Sequence, residues 1–308
     1  ALKQPISPIM IAAFIVLSAD IVFWCHDRFW KNDFSATIVD VGQGSAALLE
    51  LPGGHRMLVD GGGFTTNAVF DVGKNVVAPL LWDRKIGTID TVVLSHPDAD
   101  HLNGLIYILN HFHVDQVIST HQTADSSGYA AFEQAIRKNH INHLPFDQIP
   151  RRFQINGVTF DILHPLPAEQ HSSRHLSNTN DHSIVLKASY NGQALLLPGD
   201  IMKAAEKALI SETENNLQAD VLIAPHHGSK TSSTKSFLDA VDPIAVIVSA
   251  GIQNRFDLPA PSVIKRYRNK GCRILQTSQK GAVEITLDGR RVTLQPFLGE
   301  PVVLGVGY

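Results

Sequence analysis

The hydrophobic and polar positions of the chain change their pattern near residue 32. Residues 9–25 read IMIAAFIVLSADIVFWC, an apolar run that a single charged residue, Asp20, interrupts. A bilayer-spanning helix typically needs about 20 apolar residues, and basic and aromatic residues flank this run as they flank membrane helices. We therefore expect a transmembrane helix with its flanks over residues 1–31. A buried core helix and a signal peptide are the alternatives, although no small-residue cleavage site follows.

After residue 32, short β-rich runs alternate with glycine-rich turns and amphipathic helical patterns. The run TVVLS is typical of a buried strand, and the helical pattern LNGLIYILNHF follows it. Asn156-Gly157 and Asn191-Gly192 each separate two β-rich runs, which predicts two hairpins, and GAVEITLDGRRVTLQPF predicts a third. Sheets with helices packed outside them fit this order better than a barrel or a helical bundle. We expect an α/β domain over residues 32–308.

Composition argues against a basic nucleic-acid-binding surface over the whole chain and against a disulfide framework, and it draws attention to histidine. The chain has 308 residues, of which 44% are hydrophobic and 18% charged, and its formal net charge is −3. This charge gives no global basic field, so a nucleic acid would have to be bound by a local patch. The two cysteines, Cys25 and Cys272, are too few for a disulfide framework. The 15 histidines occur partly in clusters with aspartate.

The most informative cluster is HPDADH, which comes directly after the predicted strand TVVLS. It contains His96, Asp98, Asp100 and His101. One aspartate capping the following helix is the structural alternative, but a cap would not explain two histidines as well. Imidazole nitrogen and carboxylate oxygen suit Zn²⁺, Mn²⁺ or Fe²⁺, and the absence of thiolates argues against a structural cysteine-type zinc site. The cluster therefore predicts a metal site.

The H-x-D-x-D-H pattern resembles the metallo-β-lactamase superfamily, whose usual form is H-x-H-x-D-H. Three further motifs follow the order of that superfamily: MLVDGG with Asp60, LLLPGD with Asp200, and LIAPHHGS with His226 and His227. A narrower resemblance is to the C-terminal domain of ComEC-type DNA-internalisation proteins. It rests on DVGQG at 40–44, PHHGS at 225–229 and NDHSIVL at 180–186.

The resemblance implies a four-layer αββα sandwich preceded by a membrane helix, and two divalent metal ions, zinc or manganese. His96 and Asp98 would hold the first ion, Asp100 and His101 the second, and Asp200 would bridge them. Either His226 or His227 would complete the second site. The usual third histidine of the first site is not evident; His182 is the candidate, in competition with His164, His171 and His175. Three aspartates make the site rich in oxygen, which makes manganese an alternative to zinc.

Substrate contacts are expected close to the late histidine motif. Catalytic candidates are Asp100, His227 and Lys230, and substrate-binding candidates are Ser229, Lys230 and Arg255. The basic run IKRYRNKGCR around Tyr267 could bind nucleic acid, although a solvated amphipathic helix is the alternative. ComEC relatives commonly have a histidine before the proline of the NRF region, and Leu258 stands there in this chain. This departure puts full activity in question.

The resemblance implies a metal-dependent nuclease-like domain of a ComEC-type DNA uptake channel. It would hydrolyse DNA phosphodiesters, those of the strand that is not imported, during natural transformation. The implied location is the inner (plasma) membrane, with the hydrolase domain on the extracytoplasmic side. The implied partners are DNA, the membrane, the remaining channel portion of the same protein and DNA-receptor proteins. Two alternatives stay open: a membrane-tethered hydrolase of another phosphoester or a lactone, and a non-catalytic DNA-guiding module.

Overall fold

The computed structural model describes residues 7–29, 32–65, 70–120, 122–165, 179–212 and 217–305. The α-helices of these ranges are α1 (Pro8–Phe29), α2 (Ala78–Asp83), α3 (Ala99–His111), α4 (Ser127–Lys138), α5 (Lys203–Glu212), α6 (Lys235–Val241), α7 (Pro261–Lys270) and α8 (Thr277–Lys280). A π-helical turn, Gly73–Val77, leads into α2.

The strands of the described ranges form two sheets. They are β1 (Phe34–Ile38), β2 (Ala47–Glu50), β3 (Arg56–Val59), β4 (Thr88–Leu94), β5 (His113–Ser119), β6 (Asn142–Leu144), β7 (Arg152–Ile155), β8 (Val158–His164), β9 (Val185–Tyr190), β10 (Gln193–Leu197), β11 (Val221–Ile223), β12 (Ala245–Val248), β13 (Arg273–Gln276), β14 (Val283–Leu287), β15 (Arg291–Pro296) and β16 (Val302–Gly305). The first sheet has the order β16-β15-β14-β1-β2-β3-β4-β5-β6, and the second β13-β12-β11-β10-β9-β8-β7.

The alternation of side chains along each strand produces the layers. In β2, Leu49 packs into the apolar core between the two sheets, whereas its neighbour Leu48 packs outward with Leu105 of α3 and Phe132 of α4. The outer face of the second sheet is covered in the same way by residues of α5, α6 and α7. The predicted four-layer αββα sandwich is therefore confirmed.

Parallel strand pairs bring the sequence motifs to one edge of each sheet. Strands β3 and β4 are parallel in the first sheet, and β10 and β11 are parallel in the second. Asp60 follows the end of β3, and His96 follows β4. Asp200 follows β10, and His227 follows β11. Because carboxyl ends of parallel strands lie at the same edge, residues far apart in sequence can meet there.

Two predicted hairpins are confirmed at their turns. Asn156 and Gly157 join β7 to β8, and Asn191 and Gly192 join β9 to β10. All four residues have positive φ, at 48° and 86° in the first turn and 48° and 83° in the second. Positive φ at both central positions is what a two-residue type I′ turn requires, and Asn-Gly meets that requirement with little strain.

The N-terminal apolar run forms α1, and much of its apolar surface is exposed. Ile9 is 79% exposed and Phe14 69% exposed. Asp20 is paired with the domain, since its Oδ2 lies 2.9 Å from Nζ of Lys85. Within α1, Trp24 Nε1 donates to Oδ1 of Asp20 over 3.1 Å. Among the residues that the structure describes, no helix combines the length and hydropathy that a membrane crossing needs. The predicted transmembrane helix is thus not confirmed.

Candidate metal centre

The HPDADH cluster occupies the turn between β4 and α3. His96 is fully buried, and Asp98 is the N-cap residue of α3 but makes no side-chain cap hydrogen bond. The Asp98 carboxylate instead lies 3.7 Å from Nε2 of His96 and is 42% exposed. Asp100 and His101 lie in the first turn of α3. The helix-cap alternative therefore does not account for the side chain of Asp98.

Asp60 and Ser95 fix the orientation of two histidines. One oxygen of Asp60 accepts from the Ser95 backbone N–H over 2.8 Å, and the other accepts from the Ser95 hydroxyl over 2.8 Å. That second oxygen also accepts from Nδ1 of His101 over 2.7 Å. Since the Ser95 hydroxyl donates to Asp60, its oxygen accepts from Nδ1 of His96, 3.0 Å away. In both histidines Nε2 is left for another ligand, which is how outer carboxylates commonly prepare metal-binding imidazoles.

Asp200 and His227 enter the same space from the second sheet. Asp200 Oδ1 lies 3.2 Å from Nε2 of His101, and its Oδ2 lies 3.3 Å from Nε2 of His227. Nδ1 of His227 donates to the carbonyl of Ser249 over 3.0 Å, so its Nε2 also points into the cluster. Asp100 Oδ2 lies 3.5 Å from that Nε2 atom. The backbone of both His226 and His227 is left-handed, with φ values of 50° and 54°, in the short turn that follows β11.

The donor atoms fit divalent metal ions. Within the described residues two groups of three have donor atoms within 4.8 Å of one another; they are His96, His101 and Asp200, and Asp100, His101 and His227. Nε2 of His96 is buried and has no hydrogen-bond partner. An orphaned buried nitrogen is costly, and a metal ion would satisfy it. Imidazole with carboxylate is a donor set for Zn²⁺ or Mn²⁺.

The pKa values of the cluster show how strongly its charges interact. Burial disfavours the charged form of His227, but Asp200 and Asp100 outweigh that penalty and raise its pKa to about 10. The pKa of His101 is likewise raised well above its usual range by Asp200 and Asp60 despite burial. Although burial opposes ionisation, His227 and His101 lower the pKa of Asp100 to about 2. The protonated imidazoles of His227 and His101 thus balance the negative charge of the neighbouring carboxylates, a charge that a metal ion would otherwise neutralise.

His226 and His227 have different surroundings, which the sequence could not distinguish. Nε2 of His226 is 3.9 Å from Asp200 Oδ2 and 3.5 Å from the side-chain nitrogen of Asn180, and Nδ1 is 3.2 Å from the Thr231 hydroxyl. Its side chain is 24% exposed, against 4% for His227. The geometry favours His227 as the ligand and leaves His226 partly exposed at the edge of the cluster.

His182 does not join the cluster. It ends a short 3-10 helix, Thr179–His182, is half-buried, and has no hydrogen bond or ion pair with the metal-site candidates in the described part of the chain. Asn180 of the same turn contacts His226 instead. His164 Nε2 donates to the carbonyl of Asp181 over 2.6 Å, as a structural histidine would. His171 and His175 lie outside the described residues. A metal-binding role for His182 stays a prediction that no contact supports.

A cavity of about 1350 Å³ opens over the cluster. Residues of the centre line it, as do two of the predicted substrate-binding residues, Ser229 and Arg255. Lys230 is exposed and is not among the residues that line the cavity. Leu258, which stands where the family resemblance led us to expect histidine, does line it. The catalytic and substrate-binding assignments remain predictions. The position of Lys230 outside the cavity lining does not support the roles predicted for that residue.

The DVGQG segment has a positional role that the sequence did not indicate. A side chain at Gly44 would overlap the backbone carbonyl of Asp100, and Gly44 has a φ of 117°. Ser45 N–H donates to that same carbonyl over 3.1 Å, and the Ser249 hydroxyl donates to the Gly44 carbonyl over 2.8 Å. The segment thus connects the start of α3 to the strand-end loop of β12. In the sequence, only the glycines of the motif hinted at such close packing.

Part of the basic run around Tyr267 makes contacts within the protein. Tyr267 is fully buried in α7, and its hydroxyl lies 2.6 Å from that of Ser233. Arg266 donates to the carbonyl of Ser233, and Lys270 pairs with Asp242 at 2.7 Å. These contacts favour the amphipathic-helix alternative over a nucleic-acid patch.

Comparison with known proteins agrees with this architecture. The family model of the metallo-beta-lactamase superfamily matches residues 39–251. The chain is 25% identical over 307 residues to ComE operon protein 3 of Bacillus subtilis, covering 96% of this chain and 38% of that protein. It is 30% identical over 273 residues to competence protein ComA of Neisseria gonorrhoeae, covering 89% and 35%. The chain therefore spans little more than a third of these relatives.

Among solved structures, CmlA, a diiron beta-hydroxylase from Streptomyces venezuelae, superimposes with a TM-score of 0.51 and 13% sequence identity. The match covers 83% of this chain and 54% of CmlA. At this identity the likeness shows the fold alone.

Proposed function

We propose that this chain, which belongs to the metallo-β-lactamase superfamily, is the nuclease-like domain of a ComEC-type DNA uptake protein and hydrolyses DNA phosphodiesters. The observation that carries the proposal is the pair of overlapping donor groups below an open cavity. The similarity to ComE operon protein 3 and to competence protein ComA over most of this chain supports a ComEC-type role, from which we infer DNA as the substrate.

The centre would hold two divalent ions, zinc or manganese. His96, Asp98 and Asp200 would hold the first, and Asp100, His101 and His227 would hold the second. Asp200 lies close to both His101 and His227 and would be shared between the two. When bound, such ions lower the pKa of water and stabilise negative charge on phosphate oxygens.

The protein residues around the ions have separate tasks. Asp60 keeps the Nδ1 proton of His101, so that Nε2 remains the ligand atom. The Ser249 carbonyl does the same for His227. His226, which is partly exposed and held at Nδ1 by Thr231, would contact a phosphate oxygen with Nε2. Arg255 is the only lysine or arginine among the described residues that line the cavity, and it would pair with a phosphate.

We further propose membrane attachment through α1, whose exposed apolar side chains would contact lipid. The hydrolase domain would then lie on the extracytoplasmic side of the plasma membrane. Its partners would be the channel portion of the longer protein and DNA-receptor proteins, and its substrate the strand that is not imported during transformation.

The test is metal-dependent cleavage of DNA. The purified chain, freed of metal with a chelator, is incubated with end-labelled single- and double-stranded DNA, alone and with Mn²⁺ or Zn²⁺. We expect cleavage only with metal and a loss of at least a hundredfold in Asp100→Ala. Asp115→Ala is the matched control, because Asp115 is a half-exposed aspartate of β5 outside the cluster.

Other results would assign a different function. Bound metal with turnover of small phosphoesters but not DNA would indicate another hydrolase. DNA binding that persists in Asp100→Ala, with no cleavage in any metal, would indicate a DNA-guiding module.

A further inference from the structure

Three phenylalanines remain unusually exposed in the cavity over the metal centre. Phe64, Phe70 and Phe256 are 41%, 43% and 52% exposed, although all three line this cavity. Large apolar side chains that cluster in a concave surface commonly mark a binding site, whereas single exposed ones need no explanation. The clustering in the cavity, more than the exposure, is what calls for a ligand.

Hydrogen bonds position the backbone of Phe64 and Phe256, and a ring contact joins Phe64 to Phe70. The carbonyl of Phe64 accepts from the side-chain amide of Asn103 over 2.6 Å, and Asn103 lies on α3 two residues after His101. The rings of Phe64 and Phe70 are 6.2 Å apart at 72°, an edge-to-face pair. The backbone N–H of Phe256 donates to Asn254 over 3.1 Å.

The third ring carries a cation. The guanidinium carbon of Arg255 lies 4.6 Å from the centroid of the Phe256 ring, which places a planar charged group against an aromatic face. Guanidinium planes and aromatic rings are the groups on which unpaired bases stack in single-stranded nucleic acids. Among the described residues that line the cavity, there is no other lysine or arginine. The cavity therefore lacks the row of basic side chains that would bind a phosphate backbone along its length.

We propose that Phe64, Phe70 and Phe256, with Arg255, form a base-stacking subsite for unpaired nucleotides beside the metal centre. The inference rests on the proposed function, since it identifies the bases that flank the hydrolysed phosphodiester as the occupants. Bases in a duplex are already stacked and paired, so the subsite selects single strands or frayed ends. Each base stacked on an aromatic ring is worth about 5- to 150-fold in affinity.

The test compares a strand that has bases with one that lacks them. Metal-loaded protein is given oligo-dT and an abasic oligonucleotide of the same length and charge. We expect the strand with bases to bind and to be cleaved at least tenfold better. In the triple variant Phe64→Leu, Phe70→Leu, Phe256→Leu the ratio should fall towards 1. The corresponding triple tyrosine variant, which keeps the rings, should retain it.

Two controls separate the possible failures. Phe297→Leu removes a 79% exposed phenylalanine that does not line the cavity, and it should leave the ratio unchanged. Quenching of 2-aminopurine within the oligonucleotide reports stacking without any need for cleavage. Quenching that depends on the three rings, in the absence of cleavage, would uphold the subsite and defeat the proposed nuclease function. Equal rates of cleavage on oligo-dT and on the abasic oligonucleotide would uphold the function and overturn the subsite.

Discussion

At the scale of residues, Asp60 orients a predicted metal ligand although it is not itself a predicted ligand. Its carboxylate accepts from Ser95 and from Nδ1 of His101, and it is almost completely buried. These bonds fix which ring nitrogen of His101 carries a proton. Outer-shell partners of this kind typically change metal affinity by about 10–100-fold when they are lost.

We therefore expect Asp60→Asn to weaken metal binding by about 10–100-fold, because an amide nitrogen would oppose the donors of Ser95 and His101. Competition with a chromogenic chelator measures this affinity. Asp90→Asn is the matched control, since Asp90 also accepts a backbone N–H, from Arg56 over 2.7 Å, but lies outside the centre. Equal affinities in Asp60→Asn and the parent would contradict the orienting role of Asp60.

The charges of the centre also predict a pH dependence of the metal-free protein. The pKa of His227 is raised from its ordinary value of 6.5 to about 10, so its protonated form stabilises the folded state. That contribution is complete below pH 6.5 and is lost as pH rises toward 10. With chelator present, the melting temperature should fall across this window, and it should fall less in His227→Gln. A melting temperature of the parent that does not change between pH 6.5 and 10 would refute the prediction.

The local ligands could be predicted from sequence, but the long-range ones could not. HPDADH is contiguous and follows a strand, so its convergence is expected from the chain itself. Asp200 and His227 were assigned only through family resemblance, since nothing in their own segments specifies a partner. The choice between His226 and His227 depends on how deeply each side chain is buried, 24% against 4% exposed, which no sequence pattern predicts.

At the scale of elements, α3 reaches the centre because its residues pack directly against a glycine turn. The N–H of Gly104 donates to the carbonyl of Gly62 over 2.8 Å, and that of Gly61 donates to the carbonyl of His101 over 2.7 Å. A side chain at residue 104 would overlap the Gly61 carbonyl. This close approach holds the first turn of α3, and so Asp100 and His101, against the end of β3.

Gly104→Ala should therefore lower the free energy of unfolding by about 1–3 kcal/mol, the usual range for overpacking. Urea denaturation measures the change. Gly87→Ala provides the control, because a side chain there meets no atom within 4 Å, and it should change stability by about 0.5 kcal/mol or less. Two variants of equal stability would show that α3 does not depend on this contact.

Elements defined by local chemistry were predictable, and those defined by packing were not. The Asn-Gly turns specify their hairpins through their own backbone preferences. The π-helical turn Gly73–Val77 and α2 were not predicted, because their formation depends on burial of Val77 and Leu81 against the first sheet. In α7, the basic residues around Tyr267 suggested an exposed segment, and the burial of Tyr267 in the core was therefore not predicted.

At the scale of the whole molecule, two sheets close over one core and present their strand-end loops to one cavity. The first sheet contributes Asp60 and the HPDADH cluster, and the second contributes Asp200 and His227. Neither sheet alone provides a complete donor group around His101. The resemblance predicted this sandwich correctly, whereas periodicity alone indicated only sheets with helices outside them.

The most direct measurement is a titration of metal into the chelator-treated protein, with bound metal and cleavage of labelled DNA followed on the same samples. We expect cleavage to rise with bound Mn²⁺ or Zn²⁺ and to level off at two ions per chain. Asp200→Asn should bind fewer ions and cleave at least a hundredfold more slowly. Cleavage that persists in the metal-free protein, or that is unaffected by Asp200→Asn, would contradict a two-metal nuclease centre.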